Sequence, residues 1–366
     1  MEEIKNKIIT ISGEPVSGKG TVVKLLAEKY QEMGYNVHVI ETGKVFREQA
    51  QKEYMKMYPE KKDANISEIQ KDEGFATKRA IIDKMVDGEI VKKCKEINKV
   101  ERPNDVYIVD SRLAWSNIPN SFAVRLTVDS IIAGERVLAD TKRGRDDKYK
   151  DLAEAIKRTA ERKKLEIERY KKEYGVDLTD ENNYDLIVDT SYSNSDELAD
   201  IIINGEKAYR TNYAYPKYWS SPVKFLPLQL GRITGAPTVL GSTIESLAED
   251  IRKEGYIPTL GTLEIIEKDG KRYLLEGNHR TFGALSAGKT LLPYEITHKD
   301  DKIANDRLRY YNTKSYMEYL YDYAEGIEYY GGKIGKIKQL EKFSINDLME
   351  MNRIDEKQFT NSGEDR

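Results

Sequence analysis

One glycine-rich segment near the start of the chain constrains its fold more than any other feature. Residues 13–21 read G-E-P-V-S-G-K-G-T and lie between a short apolar run at 8–11 and an amphipathic stretch at 22–30. Glycine lets the backbone fold closely around an anion. A strand, a glycine-rich turn and a helix in this order predict a phosphate-binding loop, with N–H groups of the loop and of the helix N-terminus directed at the phosphates.

Within this loop, the polar groups have predicted roles in binding a nucleotide. Lys19 is expected to reach the β- and γ-phosphates, and the Thr21 hydroxyl to help hold Mg²⁺. The hydroxyl comes one position late, because Gly20 separates it from Lys19. The residues predicted to contact the phosphates are Gly13, Ser17, Gly18, Lys19, Gly20 and Thr21. The loop predicts that the chain moves or cleaves a nucleotide phosphate.

Strand and helix patterns alternate through the first half of the chain. Apolar runs at residues 37–40, 106–109, 123–128 and 186–188 predict strands, and charged stretches between them, notably 151–174, predict helices. Such alternation is typical of a parallel sheet with helices on both faces. The predicted fold class of this region is therefore α/β.

Two groups of polar residues directly follow predicted strands. Thr42 and Arg47 follow the strand at 37–40, and Asp110 and Arg112 follow the next predicted strand. The carboxyl ends of parallel strands form the edge where ligands bind. Arginine can clamp a phosphate with two hydrogen bonds, and Asp110 can assist the magnesium shell or accept a proton. These four residues are predicted to face an anionic phosphoryl acceptor.

An arginine-rich segment lies between the third of these strands and the last. Its arginines are Arg136, Arg143, Arg145, Arg158, Arg162 and Arg169. Phosphoryl transfer spreads negative charge over equatorial oxygens, so arginines that close over the site are useful. Arg158 and Arg162 share one helix face at i,i+4. We predict that these two join Lys19 and Asp110 in catalysis.

Four segments of the first 203 residues resemble the cytidylate kinases, closest to the short archaeal-type branch of the nucleoside monophosphate kinases. They are the loop itself, E-T-G-K-V-F-R, I-V-D-S-R-L-A, and a final pair, residues 161–177 and 184–191. The resemblance implies a P-loop NTPase-type fold, ATP as donor, Mg²⁺, and CMP or dCMP as acceptor. Glu41 and Ser111 depart from the family pattern, which has aspartate and glycine there.

A second candidate phosphate site lies in the other half of the chain. Its residues are Glu276, Gly277, Asn278, His279 and Arg280. They follow a predicted strand at 272–275 and open a predicted helix at 281–287. Groups that can bind an anion again stand at a helix N-terminus.

Residues 226–298 resemble the ParB/sulfiredoxin-like fold, through the helix pattern at 243–255 and the segment L-L-E-G-N-H-R-T-F-G-A-L-S-A-G-K. The resemblance implies a smaller α+β domain whose G-x-H-R turn binds nucleotide phosphates. Asn278 stands where sulfiredoxin chemistry needs cysteine, so sulfinic acid reduction is not expected. A helix-turn-helix domain for DNA is not expected either.

These patterns predict five regions. A kinase-like domain at 1–204 is followed by a Tyr/Pro-rich connector at 205–225 and a ParB-like domain at 226–300. A tyrosine-rich helical tail at 301–354 and a disordered end at 355–366 complete the chain. The tail tyrosines are Tyr310, Tyr311, Tyr316, Tyr319, Tyr321 and Tyr323, and their helical spacing favours a packing surface over a base-stacking platform.

Composition limits the partners and the location. The formal net charge of −3 provides no global basic field, so a nucleic-acid partner is not expected, although a local basic patch stays open. A single cysteine, Cys94, excludes an intrachain disulfide. The sequence shows no signal-peptide pattern and no membrane-length apolar run, which predicts a cytoplasmic protein that binds nucleotide substrates. Its oligomeric state stays open.

Two other functions stay open. The kinase acceptor can be a modified nucleotide, a base in DNA or a small metabolite such as free serine. Alternatively, the chain can be a nucleotide-gated binding switch whose second half grips a partner.

Overall fold

A computed structural model describes residues 6–61, 64, 69, 72–97, 99–140, 149–228, 243–255, 260–269, 271–308 and 322–330. Arg143, Arg145, the predicted disordered end and every tail tyrosine named above except Tyr323 lie outside these residues. The chain divides into two compact units. The first comprises Met1–Leu126, Ala133–Asp185 and Tyr209–Thr211, and the second comprises Thr127–Ile132, Leu186–Ala208 and Asn212–Arg366.

The first unit contains a four-stranded parallel sheet, which confirms the predicted α/β class. Its strands are β1 (Lys7–Gly13), β2 (Asn36–Glu41), β3 (Asp105–Asp110) and β4 (Phe122–Thr127). They lie in the order β2-β3-β1-β4. In this register Ile11 pairs with Asp110, which itself pairs with Glu41. The carboxyl ends of β1, β2 and β3 therefore meet at one edge.

Helices connect these strands. They are α1 (Lys19–Glu32), α2 (Thr42–Met57), α3 (Ala76–Ile97), α4 (Ala114–Asn117), α5 (Ser130–Ala139) and α6 (Leu152–Tyr174). Helix α1 buries Val22, Val23, Leu26 and Tyr30, the apolar face expected from their spacing. The predicted helix at 151–174 is confirmed as α6. Asp151 caps its N-terminus by accepting from the Glu154 N–H, and Gly175 ends it at a φ of 68°.

Apolar side chains of the strands form the centre of the first unit. Ile9, Ile11, Ile108 and Val124 are fully buried. A second apolar cluster joins residues of α2 and α3 to β2 and β3, with Tyr54 and Phe75 among its largest members. This packing holds α2 and α3 beside the carboxyl edge of the sheet, where the predicted acceptor residues lie.

The second unit contains a mixed sheet. Its strands are β5 (Leu186–Asp189), β6 (Tyr218–Ser220), β7 (Leu226–Pro227), β8 (Leu263–Lys268), β9 (Lys271–Glu276) and β10 (Leu292–Lys299). They lie in the order β5-β6-β10-β8-β9-β7. The pairs β10–β6 and β8–β9 are antiparallel, and β5–β6, β10–β8 and β7–β9 are parallel.

The helices of this unit are α7 (Ser195–Thr211), α8 (Ile244–Glu254), α9 (Asn278–Ser286), α10 (Lys302–Leu308) and α11, at 322–330. The last three residues of α7 count with the first unit. Thr243 and Ser246 form a capping box at the start of α8. The helix predicted at 243–255 and the strand predicted at 272–275 are confirmed.

Residues 205–225, predicted as a connector, hold regular structure. They include the end of α7, strand β6 and a single 3₁₀ turn, Pro222–Lys224. Aromatic residues favour strands, and Trp219 is buried in β6. Strand β5 pairs with β6, and both β5 and most of α7, which the sequence places in the first domain, belong to the second unit.

A cluster of charged groups lies within the second unit. The Lys224 ammonium bonds to Asp189 and, at 2.7 Å, to Asp129. The Ser191 hydroxyl donates to Asp189 and accepts from the Asp129 N–H. Burial acts to raise the pKa of Asp189, but the Lys224 ammonium and the bonds from Ser191 hold it below its ordinary range. Lys224 thus balances two enclosed carboxylates.

Within the described ranges, no helix is long and apolar enough to span a membrane.

Candidate functional site

The glycine-rich loop joins β1 to α1 as the sequence predicts. Strand β1 ends at Gly13 and α1 begins at Lys19. Val16 and Gly18 have φ values of 66° and 80°, in the left-handed region. A Cβ atom on Gly13 would approach the Ser17 Oγ to 2.7 Å, so only glycine fits at the start of the loop.

The backbone polar groups of the loop suit an anionic ligand. Arg112 donates to the Gly13 carbonyl oxygen, and Arg136 Nη1 donates to the Val16 carbonyl oxygen at 3.2 Å. The N-terminus of α1 has no side-chain cap, and its first turn has no acidic residue. A side chain on Gly20 would project into open space. These features fit the phosphates of ATP, because uncapped N–H groups at a helix N-terminus bind anions.

Lys19 lies between the loop and the end of β3. Its ammonium forms an ion pair with Asp110, and both side chains are largely enclosed. Burial, and next the nearby Arg112 guanidinium, lower the pKa of Lys19, with Asp110 acting in the opposite direction. Thr42 donates its hydroxyl hydrogen to the Asp110 carbonyl oxygen at 2.8 Å. The start of α2 is therefore bonded to the end of β3.

Arg112 is held from two directions. Its guanidinium bonds to Glu166 on α6 through Nε and through Nη2, the latter at 3.1 Å, and it also donates to the Gly13 carbonyl oxygen. Burial acts to lower the pKa of Arg112, but the Glu166 carboxylate raises it above its ordinary value. Arg112 stays charged beside the loop.

A cavity of about 530 Å³ opens beside Lys19 and these groups. Its acidic lining residues are Glu41, Asp110 and Glu166. Its cationic lining residues are more numerous: Lys19, Lys44, Arg47, Arg79, Arg112, Arg162 and Arg169. Phe46, Val86, Leu165 and Tyr170 add apolar and aromatic surface. The cavity therefore suits a ligand with a strong negative charge and an apolar part.

Most of the first set of predicted site residues meet at this cavity. Thr42, Arg47, Asp110, Arg112 and Arg162 line it together with Lys19. The other loop residues, Gly13, Ser17, Gly18, Gly20 and Thr21, precede Lys19 or follow it in the first turn of α1.

Arg158 is not among the cavity residues. It lies one helical turn before Arg162, pairs with Glu154 at 3.6 Å, and stacks over Tyr149. The spacing of four residues correctly places Arg158 and Arg162 on one face of α6. Spacing alone does not tell which turns of the helix line the cavity, and the turn of Arg158 does not.

Several cavity residues were missed by the sequence reasoning. Arg79 and Val86 lie on α3, outside the four segments that resemble the cytidylate kinases. Lys44 and Phe46 lie within the matched motif itself, and Tyr170 within the matched helix. Glu166 follows Arg162 by four residues, so helical spacing would have placed it on the same face.

The two departures from the family pattern have different surroundings. Ser111 is buried, and its hydroxyl accepts from the Leu113 N–H at 3.3 Å, so it shapes the turn after β3. Glu41 is exposed at the end of β2 and lines the cavity.

Thr21 and Asp110 supply oxygen atoms that suit Mg²⁺. Thr21 is exposed in the first turn of α1, and Asp110 is bonded to Lys19. Among the described residues, no group of three or more histidine, cysteine or acidic side chains is arranged to hold a metal. Mg²⁺ keeps several waters and usually binds through one or two protein groups and the substrate phosphates, and the oxygens of Thr21 and Asp110 are groups of that kind.

In the second predicted phosphate site, residues 276–280, the arginine is hydrogen-bonded to the protein backbone. Gly277 precedes α9 with a φ of 124°, and α9 begins at Asn278 without a side-chain cap. Arg280, however, donates to the carbonyl oxygens of Leu260, at 3.2 Å, and Thr262. Glu276 is exposed, and His279 is half-buried in the first turn. The N-terminus of α9 therefore lacks a side-chain cap, but the arginine of the turn donates to the protein backbone.

Comparison with known proteins identifies the first region. The model of the cytidylate kinase-like family matches residues 8–192, half of the chain. This chain belongs to the cytidylate kinase-like family. The match contains the loop, the cavity residues and α6, and membership indicates nucleotide kinase activity.

Cytidylate kinases from archaea are similar to this region. The cytidylate kinase of Methanosarcina barkeri is 29% identical over 197 residues, which cover 53% of this chain and 93% of that protein. The cytidylate kinase of Methanocaldococcus jannaschii is 33% identical over 185 residues, which cover 50% of this chain and 88% of that protein.

A relative with another name also matches. The S-adenosylmethionine-dependent nucleotide dehydratase of Lacinutrix mariniflava is 29% identical over 196 residues, which cover 53% of this chain and 35% of that protein. A cytidylate kinase-like region therefore also occurs in a longer protein with another nucleotide activity in its name. The ParB-like resemblance lies beyond the family match and stays a prediction.

Proposed function

We propose that this protein transfers the γ-phosphoryl group of ATP to a nucleoside monophosphate, with CMP or dCMP as the acceptor. The observation that carries the proposal is the meeting of Lys19, Asp110 and Arg112 with Thr42, Arg47 and Arg162 around one cavity beside the loop. The names of the archaeal relatives support the cytidine nucleotide.

The donor is held by the loop in this proposal. The N–H groups at the start of α1 and the Lys19 ammonium bind its phosphates, and Thr21 and Asp110 offer oxygen atoms to Mg²⁺. Bound Mg²⁺ would neutralise charge on the transferring group. Lys19 leaves its ion pair with Asp110 when it turns to the phosphates.

The acceptor occupies the cavity. Arg47 and Arg112 face its phosphate, and the apolar surface of Phe46, Val86 and Leu165 suits a base. Arg162 lies where it can stabilise charge that develops on the transferred group. Such a site works by positioning and electrostatics, because phosphoryl transfer needs little covalent chemistry from the protein.

The test is a panel of acceptors with Mg-ATP: CMP, dCMP, UMP, AMP, GMP, free serine and a short oligonucleotide. CMP or dCMP should give the highest kcat/KM, and Lys19→Ala should lower it by about 10³-fold or more. Lys24→Ala is the matched control, because Lys24 is an exposed lysine on the same helix and pairs with Glu28 at the surface. Equal rates for wild type and Lys19→Ala would contradict the proposal, and preference for another acceptor would correct the substrate.

We propose further that the turn at 276–280 binds a second nucleotide, so that the second unit uses or senses the product of the first. The uncapped N-terminus of α9 supports this proposal, as does the occurrence of a kinase-like region in a protein named a nucleotide dehydratase. Calorimetric titration of the full chain with CDP, the product of the proposed reaction, should show two sites, one lost in His279→Ala and one in Lys19→Ala. A single site lost only in Lys19→Ala would contradict it.

A further inference from the structure

The phosphate loop contains a carboxylate that the proposed reaction does not use. The Glu14 side chain is only 9% exposed, and each of its oxygens faces one cation. Arg125 Nη2 on β4 lies 3.3 Å from Oε1, and Lys163 Nζ on α6 lies 2.9 Å from Oε2. Glu14 therefore connects the loop to a strand at its base and to a helix of the cavity wall.

A second connection joins the same two elements. Arg112 donates to the Gly13 carbonyl oxygen and forms its two bonds with Glu166 on α6. Lys163 and Glu166 are three residues apart, on adjacent turns of one helix face. Helix α6 is therefore attached to neighbouring residues of the loop, Gly13 and Glu14, through neighbouring positions of its own.

The attached part of α6 is also the part that lines the cavity. Arg162 directly precedes Lys163, and Arg169 follows Glu166 by three residues. A helix moves as a rigid element over so short a distance, so any shift of Lys163 moves Arg162 with it. The position of this guanidinium relative to Lys19 depends on the attachment.

We propose that the Glu14–Lys163 ion pair is a positioning device that couples the phosphate loop to α6 and sets Arg162 against the donor phosphates held by Lys19. The inference rests on the proposed kinase function. Glu14 and Lys163 are positioning residues, because they act through Arg162 and the loop.

The partial exposure of Lys163 makes the idea testable. Lys163 is 35% exposed, so the ion pair adds little to folding stability. A misplacement of about 1 Å in a catalytic group can nevertheless lower a rate by about 10²-fold. Loss of the pair should therefore reduce turnover far more than it reduces the unfolding temperature. Changing Lys163 alone leaves the bond between Arg125 and Glu14, which separates the coupling from the packing of β4.

The experiment compares Lys163→Met with Lys163→Arg and Lys164→Met in the full chain, with Mg-ATP and CMP. Lys164 is the matched control, an exposed lysine next along the same helix. We expect Lys163→Met to lower kcat about tenfold with KM for ATP within about twofold. Lys163→Arg should restore most of kcat, and Lys164→Met should not change it. The double variant Glu14→Gln/Lys163→Met should be no slower than the slower single variant.

An unchanged kcat in Lys163→Met, an equal loss in Lys164→Met, or independent losses in the double variant would overturn the coupling. None of these outcomes bears on Lys19→Ala, which tests the kinase proposal itself.

A second measurement does not depend on the acceptor. Amide hydrogen exchange is recorded with and without Mg²⁺ and a β,γ-imido analogue of ATP. In wild type, the analogue should slow exchange in α1 and in α6, whereas in Lys163→Met it should slow exchange in α6 less, because only the connection through Arg112 and Glu166 remains. Equal protection of α6 in both proteins would overturn the proposal.

Discussion

Cationic side chains of the two units face different partners. Three that line the cavity of the first unit have no hydrogen bond or ion pair within the described part of the chain: Lys44, Arg47 and Arg162. Three of the second unit are bonded to oxygen atoms of the protein itself: Lys224, Arg272 and Arg280. Both units contain a strand, a glycine turn and an uncapped helix, so the local motif does not separate them. The two units differ in whether these cationic side chains are bonded to oxygen atoms of the protein or remain available to bind a ligand.

This difference has an energetic basis. An enclosed cation must be compensated, and in the second unit the protein supplies the compensation with carboxylates and carbonyl oxygens. Open cations in a cavity keep their hydration until an anion replaces it. Substitutions should therefore change stability in the second unit and ligand binding in the first.

The largest expected effect is on stability, in Lys224→Met. The change removes the ammonium that pairs with both enclosed carboxylates, Asp129 and Asp189, which should lower the free energy of unfolding by about 3–5 kcal/mol. Urea unfolding followed by the fluorescence of buried Trp219 measures it. Lys253→Met is the control, because its exposed pair with Glu249 should be worth less than about 1 kcal/mol. Equal unfolding free energies for Lys224→Met and Lys253→Met would contradict the idea that bonded cations stabilise the second unit.

The next effect is on binding, in Arg47→Ala. Because Arg47 has no protein partner among the described residues, its loss should change the free energy of unfolding by less than about 0.5 kcal/mol. It should lower kcat/KM for the acceptor about 30- to 100-fold, the value of a charged hydrogen bond to phosphate. Steady-state kinetics with varied CMP and a thermal melt measure the two effects. A large loss of unfolding free energy with an unchanged kcat/KM would show that Arg47 stabilises the fold, as Lys224 is expected to do, and does not bind the acceptor.

A smaller effect concerns pH. Glu197 accepts from the Thr290 N–H at 2.8 Å, and burial raises its pKa. A raised carboxyl pKa contributes stability that is present in full below the ordinary value of 4.5 and is lost as the pH rises through the folded-state pKa. Wild type should therefore exceed Glu197→Gln in unfolding free energy by more at pH 5 than at pH 8.

Urea unfolding at the two pH values checks this prediction. The exposed Glu245→Gln on α8 is the control for removal of a carboxylate from the surface of the same unit. An advantage of wild type that grows toward pH 8 would show that the sign is wrong.

The smallest effect is expected for Arg158→Ala. Arg158 pairs with Glu154 on the surface of α6 and does not line the cavity. Its loss should change the free energy of unfolding by less than about 0.5 kcal/mol and kcat by less than about twofold. Kinetics beside Arg162→Ala provide the comparison. A loss as large as that of Arg162→Ala would restore Arg158 to the catalytic set predicted from the sequence.

Local patterns predicted the elements well. The strand before the loop, the helix after it and the strands before Thr42 and Asp110 are all confirmed, because short-range periodicity and glycine positions determine them. The turn at 276–280 also has the predicted flanking strand and helix. The use of Arg280 on two backbone carbonyls was not predictable, since Leu260 and Thr262 approach it only in the folded unit.

By itself, the sequence determined that a glycine-rich loop lies between a strand and a helix, and that residues 8–192 match the cytidylate kinase-like family. Both can be recognised in short segments, because neighbouring residues determine the local backbone conformation. Only the tertiary structure decided that Arg79 of α3 joins the cavity, that Glu166 holds Arg112, and that Lys163 reaches Glu14. The physical reason is that these contacts join elements far apart in the chain, whose meeting depends on how helices pack beside the sheet.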